Sequence, residues 1–103
     1  MKIAEITEEH ILFDNGNEIT CDHYQSWCEH NWADFDQIDD LARSHNYDEN
    51  LKFESVENSG FRFGDSNFMA FVPCYSAQNG YYSSDVDIYY NENNVLNCFC
   101  ELI

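Results

Sequence analysis

Positive charge is nearly absent from this sequence. Its 103 residues contain 4 Lys and Arg against 20 Asp and Glu, so the formal net charge at pH 7 is −16. Binding to DNA, to RNA or to an anionic membrane depends on cationic side chains. We therefore expect no direct contact with nucleic acid and none with a membrane. A partner that this charge recognises has to be basic.

Long apolar runs, prolines and glycines are also scarce. No stretch of 18 consecutive apolar residues is present, which excludes a predicted transmembrane helix. The first nine residues lack the apolar centre of a secretion signal, so we expect a cytoplasmic protein. With Pro73 as the only proline and 4 glycines, we find no linker and predict a single domain over residues 1–103.

Aromatic residues, in contrast, are abundant. They make up 17% of the chain, and 44% of all residues are hydrophobic. Acidic chains that stay disordered are poor in aromatics. The composition therefore predicts a folded core under a strongly negative surface. Solubility alone is one explanation of that surface, and a basic partner is the other.

The number of cysteines is odd, which argues against a complete disulfide framework. Together with the missing secretion signal, it predicts reduced thiols that are mostly buried. The five are Cys21, Cys28, Cys74, Cys98 and Cys100.

Alternation of apolar and polar residues indicates strands over most of the chain. Residues 3–6 read as a first strand, and residues 10–13 and 18–21 flank an Asn15-Gly16 hairpin signal in which both turn residues need positive φ. Residues 68–74 are apolar on both faces, which predicts a central strand covered on both sides. The predicted fold is α+β: one antiparallel twisted sheet of about six or seven strands with one short helix.

The helix is predicted at residues 36–45. Its apolar side chains recur at positions i, i+3, i+4 and i+7, which places them on one face. Asp34 or Asp36 is the predicted N-cap, and Arg43 lies near the end where cations are favoured. The predicted apolar face consists of Ile38, Leu41, Ala42 and His45.

One group of residues has the composition of a metal site. Cys21, His23, Cys28 and His30 form two Cys-x-His pairs, and two Cys with two His suit tetrahedral zinc. Structural zinc sites space their ligands differently, as C-x₂₋₄-C and H-x₃₋₅-H. We therefore predict no metal and no cofactor, with a metal-binding or ligand-binding accessory domain as the alternative.

Signatures of catalysis are missing from the sequence. It contains no phosphate-binding loop, no dinucleotide fingerprint and no G-x-S-x-G elbow. Cys28 with His23 or His30 is a conceivable nucleophile and base, but nothing singles that pair out. We expect no enzyme.

Carboxylates are the candidate binding residues. On the predicted helix, Asp36, Asp39 and Asp40 share one side, because positions i, i+3 and i+4 are neighbours. Rows of carboxylates on a rigid body present negative charge much as phosphates do, and a basic nucleic-acid channel binds such a surface. The predicted binding residues are Asp34, Asp36, Asp39, Asp40, Asp48, Glu49, Glu54 and Glu57.

Two stretches resemble motifs of one uncharacterised domain family of bacteriophages and phage-rich gut bacteria. His-Tyr-Gln-Ser-Trp-Cys-Glu at residues 23–29 resembles His-x-Gln-Asp-Cys-Cys-Glu, with Ser-Trp where Asp-Cys is usual. Gln-Asn-Gly-Tyr-Tyr-Ser-Ser-Asp-Val-Asp at residues 78–87 resembles Ser-Asn-Gly-Tyr-Tyr-Ser-Glu-Ser-Val-Asp. The resemblance spans residues 10 to 91 and implies a small phage or prophage accessory protein in a bacterial host cell.

Charge, size and resemblance together predict a phage-type inhibitor. Its expected partner is a host defence protein whose basic DNA-binding or RNA-binding surface it occupies. The sharpest version is an anti-CRISPR protein that blocks an RNA-guided nuclease where arginines read the short duplex motif beside the target. A restriction enzyme, a nucleoid protein or a host polymerase fits as well. A virion or assembly component with a tyrosine-rich interface is a further alternative.

Overall fold

The computed structural model describes residues 1–22, 29–78 and 83–103. In those ranges the chain forms ten β-strands, one turn of 3₁₀ helix at Phe35–Gln37 and one α-helix, α1, at Asp40–Ser44. None of the helices in this described part has the length and apolar character that crossing a membrane requires. The strands are β1 Ile3–Ile6, β2 His10–Phe13, β3 Glu18–Asp22, β4 Glu29–Ala33, β5 Lys52–Val56, β6 Gly60–Gly64, β7 Met69–Gln78, β8 Asp85–Tyr90, β9 Asn93–Phe99 and β10 Glu101–Leu102.

The strands divide into two sheets of five. The first sheet is antiparallel throughout, in the order β1-β2-β3-β8-β9. In the second, β7 pairs with β6 through residues 69–73 and with β4 through residues 74–78, while β5 adds to β6. The short β10 runs parallel to β7 beside Tyr75 and Ser76. The prediction of mainly antiparallel strands with one short helix is confirmed, but the single sheet of six or seven strands is wrong.

One apolar core joins the two sheets, which explains why ten short strands do not form one large sheet. Each sheet buries its apolar face against the apolar face of the other sheet, so neither sheet needs a further layer of helices to cover that face. Phe13 of β2 meets Phe63 of β6 edge to face, with 6.3 Å between ring centroids, and Tyr47 packs on both rings. Burying one such aromatic side chain contributes about 1.5–3 kcal/mol.

The β2–β3 hairpin lies where it is predicted but has a different turn. Of the two predicted turn residues, Gly16 has a positive φ, at 91°, and Asn15 does not. The amide of Gly16 donates to the carbonyl of Phe13, and the amide of Phe13 donates to the carbonyl of Asn17. This pattern is a type I turn that ends in a left-handed glycine, so the hairpin needs one residue with positive φ rather than two.

The predicted helix at residues 36–45 is too long. Ile38 is extended, with ψ of 144°, and separates the 3₁₀ turn from the five-residue α1. The N-cap is Asp39, whose carboxylate accepts from the amide of Ala42 at 2.9 Å, so the prediction of Asp34 or Asp36 as cap is wrong. Leu41 is 69% exposed, although Ile38 and Ala42 are buried as predicted.

Strand β7 is central, because it has neighbours on both of its edges. The prediction that both of its faces are covered is wrong, since Phe71 is 41% exposed while Val72 is fully buried. Pro73 lies where the neighbour on one edge ends. Its carbonyl accepts from the amide of Asp34, the first residue after β4. A proline in a central strand is tolerated there because no further partner on that edge needs its missing N–H.

Candidate functional site

A cleft of about 570 Å³ opens between the end of β3 and strand β4. Three segments of the chain line it: the turn between β1 and β2, the last two residues of β3, and residues 30–36. We call it the acidic cleft, because carboxylate side chains come from all three segments. They belong to Glu8, Glu9, Asp22, Asp34 and Asp36.

Lysine and arginine side chains are absent from this lining. The four Lys and Arg residues of the chain all lie in its described part, and none of them lines the cleft. Arg43 follows the last lining residue, Asp36, in the chain, and its guanidinium donates to the backbone oxygens of Asp36 and Ile38 at 3.1 and 3.4 Å. Exposed like charges within the Debye length of about 8 Å repel each other at physiological salt. The cleft therefore favours a positively charged occupant.

Strand β4 supplies the wall of the cleft through its alternation. Asn31 and Ala33 are buried, whereas His30 is exposed and Trp32 half-buried. The side-chain amide of Asn31 donates to the backbone oxygens of Ser83 and Asp85, at 3.0 and 3.2 Å. These bonds tie β4 to the segment that enters β8 and fix the position of the wall.

An aromatic ladder runs along this wall. His30 and Trp32 lie two residues apart on β4, so they share a face. Their rings stack at 4.7 Å between centroids with an angle of 24°. Tyr75, the partner of Trp32 across the β4–β7 pair, extends the ladder at 5.7 Å. His30 and Trp32 both line the acidic cleft.

Two hydrogen bonds orient one carboxylate of the cleft. The hydroxyl of Tyr75 donates to Oε1 of Gln37 at 3.3 Å, and Nε2 of Gln37 donates to Oδ2 of Asp34 at 2.6 Å. Gln37 belongs to the 3₁₀ turn that follows β4. The ladder and the carboxylate of Asp34 are thereby held by one connected set of side chains.

Cys21 lines the cleft as a protonated thiol. Burial raises its pKa to about 12, although the backbone N–H of Ala33 donates to it. A thiol with such a pKa is protonated at neutral pH and is therefore a poor nucleophile. Of the four candidate zinc ligands, Cys21 and His30 meet in the cleft, while His23 and Cys28 lie outside the described residues. Within residues 1–22, 29–78 and 83–103, no three or more metal-ligating side chains are arranged to hold an ion.

The other described thiols belong to the core. Cys74, Cys98 and Cys100 are buried and free, as predicted, and Cys21 is half-buried and free. Glu101 pairs with Tyr75, which puts Cys100 beside Cys74. A hydrogen bond with Cys100 and burial raise the pKa of Cys74.

The structure separates the carboxylates of residues 34–40 that the helix prediction grouped. Asp34 and Asp36 line the acidic cleft. Asp39 caps α1 and Asp40 is exposed in its first turn, outside the cleft lining. The prediction that Asp36, Asp39 and Asp40 share one side of a helix is wrong, because the helix begins only at Asp40.

The remaining predicted binding residues lie elsewhere. Asp48 and Glu49 line a second recess together with Asp14. Glu54 on β5 is paired with Arg62 on β6, with 2.7 Å between Oε1 and Nε. Glu57 is exposed in the turn that follows β5. A binding role for any of these residues stays a prediction.

Sequence reasoning missed the aromatic part of the cleft. Residues 29–33 were not predicted as a strand, because their sequence lacks the polar-apolar alternation of a strand with one buried face: polar Asn31 is buried, while apolar Trp32 is half-buried. Trp32 lies beside His30 because residues two apart share a face of a strand, which could be used only once the strand itself was known. Tyr75 is different, because its place beside Trp32 depends on the β4–β7 register, which residues far apart in the chain determine.

Two tyrosine hydroxyls outside the cleft form hydrogen bonds within the fold. The hydroxyl of Tyr90 donates to the backbone oxygen of Glu49 at 2.7 Å and accepts from Asn17 at 2.9 Å. The buried Tyr47 donates to the backbone oxygen of Ala42. Of the two family-like motifs, at residues 23–29 and 78–87, residues 23–28 and 79–82 lie outside the described residues.

No protein-family model, no curated protein and no solved structure matches this chain. The resemblance to a phage domain family therefore stays a prediction.

Proposed function

We propose that this chain is a small acidic interaction protein that occupies the basic nucleic-acid-binding surface of a partner protein. The observation that carries the proposal is the density of its negative charge. A net charge of −16 on a body 40 Å long gives about one charge per 2.5 Å of its long axis, against about one per 1.7 Å for duplex DNA. A surface that binds the phosphates of a duplex meets a comparable field here.

The acidic cleft supports the same function, because it concentrates part of this charge. Five carboxylates from three segments converge on one concave surface without a lysine or arginine among them. A concave surface lined by one sign of charge focuses the field and speeds the association of an oppositely charged partner. Complementary charge also rejects partners of the wrong sign.

The sharpest version of the proposal is an inhibitor of an RNA-guided nuclease in a bacterial host. Such a nuclease reads the short duplex motif beside its target with arginines in a positively charged channel. Those arginines are the kind of group that the cleft favours. Restriction enzymes, nucleoid proteins and polymerases present basic channels as well, so the proposal concerns this class of surface first.

The test is capture followed by competition. The immobilised protein is incubated with host lysate at about 0.1 M and about 1 M salt, where the Debye length is about 10 and about 3 Å. We expect a captured protein at the lower salt that duplex DNA or RNA releases. Capture that survives the higher salt and resists nucleic acid would contradict the proposal and favour an aromatic interface, such as that of an assembly component.

A further inference from the structure

We propose that the acidic cleft is a pocket for an arginine side chain of the partner. Its guanidinium stacks on the aromatic ladder and bonds to the carboxylate of Asp34. This inference rests on the proposed function and names the group that the cleft recognises. It is carried by the cleft, the ladder and the oriented carboxylate together, rather than by negative charge alone.

The aromatic wall is the first part of the argument. A cation above an aromatic face is attracted by the ring, and indole is the strongest of the aromatic side chains in this respect. Trp32 lines the cleft, with His30 stacked at 4.7 Å and Tyr75 at 5.7 Å. Guanidinium is planar and weakly hydrated, so it extends such a stack, whereas an ammonium group is compact and strongly hydrated.

The oriented carboxylate is the second part. Oδ2 of Asp34 already accepts from Gln37, which Tyr75 holds from its other end. Within the described part of the chain, no group donates to Oδ1 of Asp34, so that oxygen is available to an incoming N–H. Charge-assisted bonds from guanidinium to carboxylate are about twice as strong as bonds between neutral groups.

The dimensions of the cleft are the third part. Its volume of about 570 Å³ lies within the range of about 300–1,000 Å³ that is typical of small-ligand pockets. That space accepts a complete arginine side chain with part of its neighbours. The further carboxylates of the cleft, among them Glu8 and Glu9, add long-range attraction without the geometric constraint that Asp34 imposes.

The experiment uses two short blocked peptides, acetyl-Gly-Arg-Gly-amide and acetyl-Gly-Lys-Gly-amide. Binding is followed by NMR through the indole N–H of Trp32, and the signal is assigned with Trp32→Phe. We expect saturable shifts, with the arginine peptide binding several-fold more tightly than the lysine peptide. Asp34→Asn should weaken the arginine peptide about tenfold, which equals the loss of about 1.4 kcal/mol.

Asp40→Asn is the matched control, because Asp40 is exposed in the same segment but lies outside the cleft lining. It removes the same charge and should change the arginine affinity less than twofold. Equal losses for Asp34→Asn and Asp40→Asn, or equal affinity for both peptides, would overturn the pocket and leave only diffuse charge. For Trp32→Leu, which lacks the indole reporter, binding is followed through backbone amide signals of residues 30–36 instead. This change should abolish the preference for arginine, and a preference that survives it would overturn the stacking.

The capture experiment separates this inference from the proposed function. If the Asp34→Asn variant displaces nucleic acid from the captured partner as readily as the wild type does, the arginine pocket is overturned and the proposed function is supported. Arginine selectivity in the peptide titration, combined with no release of captured protein by nucleic acid, would support the pocket while contradicting the proposed function.

Discussion

The carboxylate of Asp65 and the carboxylates of the acidic cleft carry the same charge in opposite surroundings. Asp65 is only 8% exposed, and both of its oxygens are occupied. His45 and the amide of Asp48 donate to Oδ2 at 3.0 and 3.1 Å, and the amides of Asn67 and Phe68 donate to Oδ1 at 2.9 and 3.1 Å. The cleft carboxylates of Glu8, Glu9 and Asp36 are exposed.

This difference shows two uses of acidic residues in one chain. Asp65 joins the end of α1 to the turn between β6 and β7, so its charge is an internal part of the fold. Hydrogen bonds to the charged form, first that of His45, hold its pKa well below the ordinary value. Within the described residues, the exposed carboxylates of Glu8, Glu9 and Asp36 accept no hydrogen bond of this kind, and their mutual repulsion costs stability. Solubility and a basic partner are the two explanations of charge that is kept at such a cost.

The largest effect is expected where a carboxylate is placed without partners. Val86 is 1% exposed on β8, so Val86→Asp should destabilise the protein by about 4 kcal/mol, since it buries an unpaired polar group. The measurement is the free energy of unfolding in urea. Asp87→Asn, one residue along on the opposite face, is the control and should change it by about 0.5 kcal/mol or less. Similar losses for the two variants would contradict the assigned faces of β8.

Removal of the partnered carboxylate should have the next largest effect. Asp65→Ala leaves three backbone amides and the ring of His45 without their acceptor. We expect the free energy of unfolding to fall by about 3 kcal/mol, because each partly buried donor that loses its acceptor destabilises the folded state. Thermal and urea unfolding measure it. A loss below about 1 kcal/mol would mean that water replaces the carboxylate and that Asp65 is not a structural acid.

The same residue predicts a pH dependence. The folded pKa of Asp65 is lowered from the ordinary aspartate value of 3.8, so its stabilising contribution is complete above that value. The contribution is lost as the pH falls towards the folded pKa. Between roughly pH 5 and roughly pH 2, the wild type should therefore lose on the order of 2 kcal/mol of its advantage over Asp65→Asn. A constant difference between the two proteins across this range would contradict the assignment.

The strands were more predictable from the sequence than the site. β1 and β2 lie at the predicted residues, because alternation with a period of two is a local signal. The helix was overextended since the apolar spacing of Ile38 and Ala42 fits both a helix and an extended residue followed by a short helix. Tertiary contacts decide between these two arrangements.

The division into two sheets and the cleft depend on pairings between distant residues. β7 is one strand in the sequence, but it changes its partner from β6 to β4 after Pro73. No local sequence pattern predicts this change of partner. The ladder of Trp32 and Tyr75 follows from it, and so does the place of Asp34 beside the ladder. Charge could therefore be predicted as a property of the chain, and its arrangement could not.

A smaller effect should separate two adjacent acids of α1. The carboxylate of Asp39 accepts from the amide of Ala42, whereas Asp40 is exposed one position later. Asp39→Ala should cost about 1 kcal/mol, the typical contribution of an N-cap. Asp40→Ala should cost only a few tenths, from its favourable interaction with the helix dipole. Equal losses in urea unfolding would show that the cap bond adds nothing beyond charge.

The smallest expected effect on stability belongs to the cleft itself, where the sign should be reversed. Glu8→Gln with Glu9→Gln removes two charges from a crowded acidic surface, so the free energy of unfolding should rise by up to about 0.5 kcal/mol at low salt. The gain should vanish at about 1 M salt, where the Debye length is about 3 Å.

Glu92→Gln with Glu101→Gln is the matched control, because both residues are exposed and lie outside the cleft lining. We expect a smaller gain for the control, since its two charges lie on different strands or turns. If both pairs of substitutions raise the free energy of unfolding equally, charge repulsion is spread over the whole surface and is not concentrated in the cleft. If the cleft pair loses stability instead, Glu8 and Glu9 hold the fold as Asp65 does, and the contrast between structural and surface acids fails.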